Sequence, residues 1–168
     1  TFTYKINGGA DLTVTTTATS NIANVTVPTG TPGTFNYTLV RVQNTGSTLC
    51  QQLQTGLATV IVRPLPLAAI TASDASVCQN AASPTITFTG SNATAPYTFT
   101  YTINAGVPQT ITTTSANSIT IPVPTGTPGT YTYNITNIRE ASSSACARNL
   151  TGISTPVLVR TLPTASIS

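Results

Sequence analysis

The chain has no histidine, no tryptophan and no methionine, and only 5% of its 168 residues carry a charge, against about 25% in ordinary soluble domains. Each shortage closes off a class of function. Acid–base and nucleophilic catalysis need a titratable group poised beside a partner. Here the acids are three, Asp11, Asp74 and Glu140, isolated from one another in sequence, and the single lysine is Lys5. No catalytic residue, cofactor or metal is expected. Zinc lacks both His and a C-x-x-C pair, and calcium between domains would need clustered carboxylates. The six basic residues, Lys5, Arg41, Arg63, Arg139, Arg148 and Arg160, are scattered, whereas a nucleic-acid reader concentrates them on one face. No apolar run approaches the roughly 18 residues that span a bilayer, so no membrane insertion is expected. The chain opens with no signal peptide. A segment from inside a secreted protein would show neither feature, so neither reports the compartment.

What the chain does have is repetition. V-P-T-G-T-P-G-T occurs at Val27–Thr34 and again, letter for letter, at Val123–Thr130. T-F-T-Y at Thr1 returns at Thr98, V-I-V-R ending at Arg63 returns as V-L-V-R ending at Arg160, and Cys50 returns as Cys146. The offset is 97 for the first and last matches (Thr1 to Thr98, Arg63 to Arg160) and 96 between them (Cys50 to Cys146). One-residue slips near Ala23–Asn24 and before Val60 account for the difference. Units of about 100 residues are large enough for a core of their own. The expected organisation is an incomplete unit over 1–66, whose first two strands would lie upstream of Thr1, a complete unit over 67–163, and the start of a third at 164–168.

Short alternations of apolar residues with Thr or Asn, separated by Gly, Pro, Asn and Ser, predict an all-β fold. In the complete unit the strands are expected at Leu67–Thr71, Thr85–Thr89, Thr98–Ile103, Gln109–Thr113, Ser118–Val123, Thr130–Ile138 and Pro156–Arg160, with a turn through Asp74–Ser83. Ile86, Phe88, Phe99, Tyr101, Ile103, Ile119, Ile121, Val123, Tyr131, Tyr133, Ile135, Val157 and Val159 should point inward, and Thr98, Thr100 and Thr102 outward. Seven short strands at regular spacing are the signature of an immunoglobulin-like β-sandwich, here without the buried Trp of antibody domains. Arg63-Pro64-Leu65-Pro66 and its echo Arg160-Thr161-Leu162-Pro163 read as short, stiff, Pro-containing linkers between tandem sandwiches.

Three cysteines remain. Cys78 and Cys146 lie in the complete unit, and the same spacing puts the partner of Cys50 before Thr1, so one disulfide per unit explains the odd count and implies an oxidising, extracellular setting. A tension accompanies this pairing, because the turn after a first strand and the loop before a last one lie at opposite ends of a sandwich. Free thiols are the alternative. An internal Lys–Asn isopeptide staple is not supported, since Lys5 becomes Thr102 in the second copy. The Thr-x-Thr ladders admit binding of ice or polysaccharide, but Thr is also a favoured strand residue, and a twisted sheet lacks the flat surface a lattice requires. Sequons at Asn24, Asn36, Asn92, Asn134 and Asn149 are expected by chance in a chain this rich in Asn and Thr.

Val77–Gly90, V-C-Q-N-A-A-S-P-T-I-T-F-T-G, continuing into A-P-Y-T-F-T-Y-T-I-N at Ala95–Asn104 and P-T-G-T-P-G-T-Y-T-Y with a late Cys, resembles the repeats of giant surface adhesins of gliding Bacteroidetes, the SprB-type proteins. The resemblance covers essentially the whole chain. It implies export by the type IX secretion system and display on the outer membrane as a long filament, with the repeats as stalk or adhesive body in attachment and gliding. The implied partners are neighbouring repeats of the same protein, with surface polysaccharide or an abiotic surface as adhesion targets. Two rival readings remain: a glycan- or ice-binding module using the Thr faces, and a fibre subunit completed by strands from a neighbour.

Overall fold

The computed structural model of the chain describes every residue except Ala18, Ser47, Ser143, Ser144 and Ser168; the last falls within the expected start of a third repeat. The described residues form strands and no helix. They divide into two compact units, Thr1–Arg63 and Pro64–Ser168.

The first unit is one antiparallel sheet. It contains β1 (Phe2–Ile6), β2 (Leu12–Val14), β3 (Gly33–Gln43), β4 (Gln51–Leu53) and β5 (Leu57–Val62). β1 lies between β2 and β3, and β4 and β5 pair with successive parts of β3.

The second unit has two sheets. Its strands are β6 (Leu67–Ala72), β7 (Ser76–Cys78), β8 (Thr85–Ser91), β9 (Tyr97–Ile103), β10 (Gln109–Thr112), β11 (Ser118–Pro122), β12 (Gly129–Glu140) and β13 (Ala147–Arg160). A five-stranded sheet runs β10-β9-β12-β13-β7 and a three-stranded sheet runs β11-β8-β6. Ile86 and Phe88 from the smaller sheet meet Phe99, Tyr133, Ile135, Ile138 and Val157 from the larger one in a single core, all of them fully buried.

Three expectations for this unit change. It has eight strands rather than seven, because Ser76–Cys78 does not merely turn but runs parallel to the end of β13, pairing Leu158 with Ser76 and Arg160 with Cys78. Its last strand starts at Ala147 rather than Pro156. The irregular, polar first half of that strand, Arg148 to Thr155, hid it from any test of alternation. Thr102, expected outside, is buried.

The two units carry one register. Phe2 faces Val42 and Val14 as Phe99 faces Ile138 and Ile111, and Phe35 faces Val60 as Tyr131 faces Val157. The bulge is shared too: β3 steps over Val40 and β12 over Thr136, the same repeat position. A bulge adds one residue to one strand and increases its local twist. The turn after the first shared strand is also the same. Asn7 and Asn104 both adopt positive φ (49° and 50°), a conformation Asn tolerates because its short amide bonds locally. Asn7 Oδ1 accepts from the Asn36 amide at 2.8 Å, and Asn104 Oδ1 from the Thr132 amide at 2.8 Å.

The packing of the second unit is tightest where Tyr97 lies on Gly90. A Cβ added at Gly90 would sit 2.5 Å from two ring atoms of Tyr97, a distance no repacking of a wholly buried ring can absorb cheaply. Tyr97 is held on three sides. Its hydroxyl donates to the Ala93 carbonyl, its amide donates to Thr113 Oγ1 at 2.8 Å, and its carbonyl accepts from the Thr113 amide at 2.9 Å. Gly90→Ala is expected to destabilise this unit by about 1–3 kcal/mol through overpacking. Thr113→Val should cost about 1–3 kcal/mol by leaving a buried N–H without an acceptor. Urea denaturation followed by tyrosine fluorescence measures both.

Candidate functional site

The three acids are each committed to local structure. Asp11 forms an ion pair with Lys5 at 3.6 Å. Asp74 accepts from the Ser73 hydroxyl at 2.9 Å, and that hydroxyl accepts from the Thr85 amide at 3.0 Å, tying the end of β6 to the start of β8. Glu140 is buried at the end of β12, where its carboxylate accepts from the Ser142 amide and hydroxyl and from the Cys146 amide. A buried carboxylate folding the turn between two strands is a structural part, with charge-assisted bonds in place of a backbone turn. Among the described residues no group of three or more His, Cys, Asp or Glu could hold a metal ion.

The expected Cys78–Cys146 bridge is corrected by the structure: Cys50, Cys78 and Cys146 are all free. Topology gives the reason. Cys78 pairs with Arg160 at one end of β13, while Cys146 precedes Ala147 at the other. Those ends are about 40 Å apart at roughly 3.3 Å per residue, and a disulfide tolerates about 7 Å between Cα atoms. The tension visible in the sequence decides the matter against the bridge. The partner assigned to Cys50 lies upstream of Thr1, outside the described residues.

The Thr faces bond to themselves. Thr98 and Thr112, directly opposite in the β9–β10 register, share a 2.9 Å hydroxyl contact. Thr89 and Ser118 do the same at 3.0 Å across β8 and β11, and Thr59 donates to Asn36 Oδ1 at 2.8 Å across β3 and β5. Cross-strand hydroxyl pairs of this kind contribute a few tenths to about 1 kcal/mol each to a sheet.

Two open concavities are described, both in the first unit, and the larger, of about 750 Å³, is lined by residues that include Thr1, Val42, Gln43, Cys50 and Gln51. The other, a cleft of about 650 Å³, is lined by Phe2, Tyr4, Tyr37, Leu39, Val60 and the segment Asn21–Val27. Its lining is the face whose repeat counterparts, Phe99, Tyr101, Tyr133, Ile135 and Val157, form the core of the second unit. Here these residues are only half-buried. The Tyr37 hydroxyl is buried without a hydrogen-bond partner. The repeat named these residues as inward, and the expectation of an incomplete first unit implied that this face would be uncovered.

In the second unit burial pushes the Tyr101 and Tyr133 phenols above their ordinary value of 10.0, Tyr133 further helped by the neighbouring Tyr101 and Tyr131 phenols. A raised folded value means the neutral form is favoured in the fold. That contribution is therefore complete below about pH 10 and is lost as pH rises through the folded values. Melting temperature should hold to about pH 10 and fall beyond it, with absorbance at 295 nm showing a late-titrating pair of tyrosines that merges with the rest on unfolding. Dithiothreitol should leave the melting temperature unchanged, and a thiol reagent should titrate three thiols in the unfolded chain. A reductant-dependent melting temperature would restore the staple. No protein-family model matches the chain, and no curated protein matches it.

Proposed function

We propose that the chain is a structural and adhesive repeat module of a long extracellular surface filament, built from tandem immunoglobulin-like sandwiches and acting mechanically as stalk or adhesive body. The observation that carries this reading is one strand register, with the same bulge and the same Asn turn, used in both units. Register is set by side-chain pattern and turn geometry, so its exact reuse over separate sequence supports a modular array. The strand order of the second unit, β11-β8-β6 against β10-β9-β12-β13-β7, supports the immunoglobulin-like assignment. The likeness to SprB-type repeats supplies the surface setting, type IX export and the role in gliding.

The second unit has a place to bear load. β7 runs parallel to the end of β13, and the pair is extended by Leu158 N–H donating to Ala75 O at 3.0 Å and Gln79 N–H donating to Arg160 O at 2.8 Å. Tension leaving through Arg160 pulls along this ladder, so its bonds are loaded together in shear instead of opening one at a time. The covalent limit on extension expected from a disulfide is absent; hydrogen bonds carry the load.

Single-molecule stretching of the chain tests the reading. Gln79→Pro removes the N–H that bonds Arg160 together with the side-chain bond to Gly126 O and should lower the peak unfolding force of the second unit, while the equilibrium stability falls by about 1–3 kcal/mol. An unchanged force would sink the clamp. A glycan array separates the spacer from a sugar-binding module: strong, selective binding by the chain would favour the latter.

A further inference from the structure

Corresponding segments of the two units differ in structure, and the difference points to a missing partner. In the second unit Ser118–Pro122 is strand β11, paired along β8, and Val123 behind it is fully buried. In the first unit the corresponding residues, Asn21–Val27, form no strand, although they keep the same apolar positions (Ile22, Val25, Val27). The shared V-P-T-G-T-P-G-T keeps its backbone pattern in both units but not its burial. Thr125 is buried, donating to Ala81 O at 2.8 Å while its carbonyl accepts from the Asn80 amide, and Gln79 Nε2 donates to Gly126 O at 2.9 Å. Thr29, at the place of Thr125, is exposed.

The difference is β6–β8 and the loop they enclose. In the second unit Phe88 packs 4.9 Å from the ring of Tyr101, which itself stacks on Tyr133 at 6.4 Å and 26°. The first unit has the same stacked pair, Tyr4 on Tyr37 at 6.2 Å and 27°, but the place of Phe88 is the 650 Å³ cleft. The orphaned Tyr37 hydroxyl is a second, polar sign that the face is made to be covered, since buried donors without partners are rare in native folds.

We infer that the apolar face of the first unit is a docking site for a pair of antiparallel strands of the β6–β8 type, joined to this unit on the N-terminal side of Thr1. The occupant presents large apolar side chains where Ile86 and Phe88 stand, pairs its inner strand with Asn21–Val27, and lays a loop like Gln79–Ala81 on Thr29 and Gly30. Attachment on the N-terminal side follows from the second unit, where β8 leads directly into β9. A second copy of the chain is a poor donor: lending its β8 would uncover Phe99, Tyr133 and Ile135 of its own core, so the exchange gains nothing. A strand pair held in cis also has the high effective concentration of a short tether. This inference stands apart from the filament reading and survives its failure.

The test places a copy of Pro64–Tyr97 ahead of Thr1 in the full chain, so that the copied Tyr97 precedes Thr1 as the native one precedes Thr98. The extended chain should bind the apolar dye ANS several-fold less than the chain of 168 residues, stay monomeric, and show hydrogen exchange across Asn21–Val27 slowed at least about tenfold. A second extended chain, with Ile86→Asp and Phe88→Asp in the copied segment only, should do neither, while its native second unit reports that folding is intact. Unchanged exchange with the intact copy overturns the inference, as does equal closure by the Asp-bearing copy. So does a dimer of the unextended chain in which Asn21–Val27 is already protected, which would assign the face to a second copy.

Discussion

The packing of β8 against the five-stranded sheet is the contact on which the rest of the second unit depends. β8 lies at the centre of the smaller sheet, paired with β6 on one side and β11 on the other. Its two inward side chains, Ile86 and Phe88, are wholly buried, and Phe88 touches the rings of both Phe99 and Tyr101. Truncating a buried Phe costs about 3–5 kcal/mol, a large share of the 5–15 kcal/mol that holds a domain of this size together. The same face of β8 is constrained as strictly further along: Gly90 gives up its side chain so that Tyr97 can lie on the backbone. One strand thus sets the spacing of the sheets, the identity of β11 and the position of the P-T-G-T-P-G turn.

The surface follows a different logic. With 5% charged residues, solubility rests on hydroxyls and amides, and the strands use these to bond to each other across the sheet, as Thr98 does with Thr112 and Asn137 with Asn149. Two of the three acids hold turns. Glu140 gathers three donors at the β12–β13 connection, and Asp74 braces the β6–β8 connection. Pro156 sits within β13; a proline on a strand edge offers no N–H and discourages pairing by another chain. These devices keep a nearly uncharged β protein from sticking by its edges, which matters most in repeats held at high local concentration.

Much of this architecture was legible in the sequence. Alternation located β8, β9, β11 and β12 and nearly all of their inward residues, because one buried face per strand leaves a period of two. The repeat offsets located the shared register, and the slip before Val60 proves to be the extra residue that lets β13 run on past Gly152, where β4 and β5 are separate. The misses have physical causes. β7 is three residues long, and its pairing with β13 is parallel and non-local, so no local pattern announces it. Tyr97 follows Pro96 and was read as loop, though its ring fills the core. The disulfide failed because cysteine counting carries no distances, and 14 residues of continuous strand separate the two thiols more firmly than any argument from parity could join them.

The first unit shows what sequence pattern alone cannot supply. Ile22, Val25 and Val27 alternate or nearly so, as strand residues should, and the eight residues from Val27 match the second unit letter for letter. Yet Asn21–Val27 form no strand, and Thr29 is exposed. β-propensity measures fit to a pleated, half-buried surface rather than an intrinsic backbone preference. A strand without a neighbour has nothing to satisfy its N–H and C=O groups except solvent. The five strands that do form in this unit, β1 to β5, all have partners within it. Secondary structure in this protein is therefore a property of pairs of segments, and the open cleft of the first unit is the imprint of the pair it is built to receive.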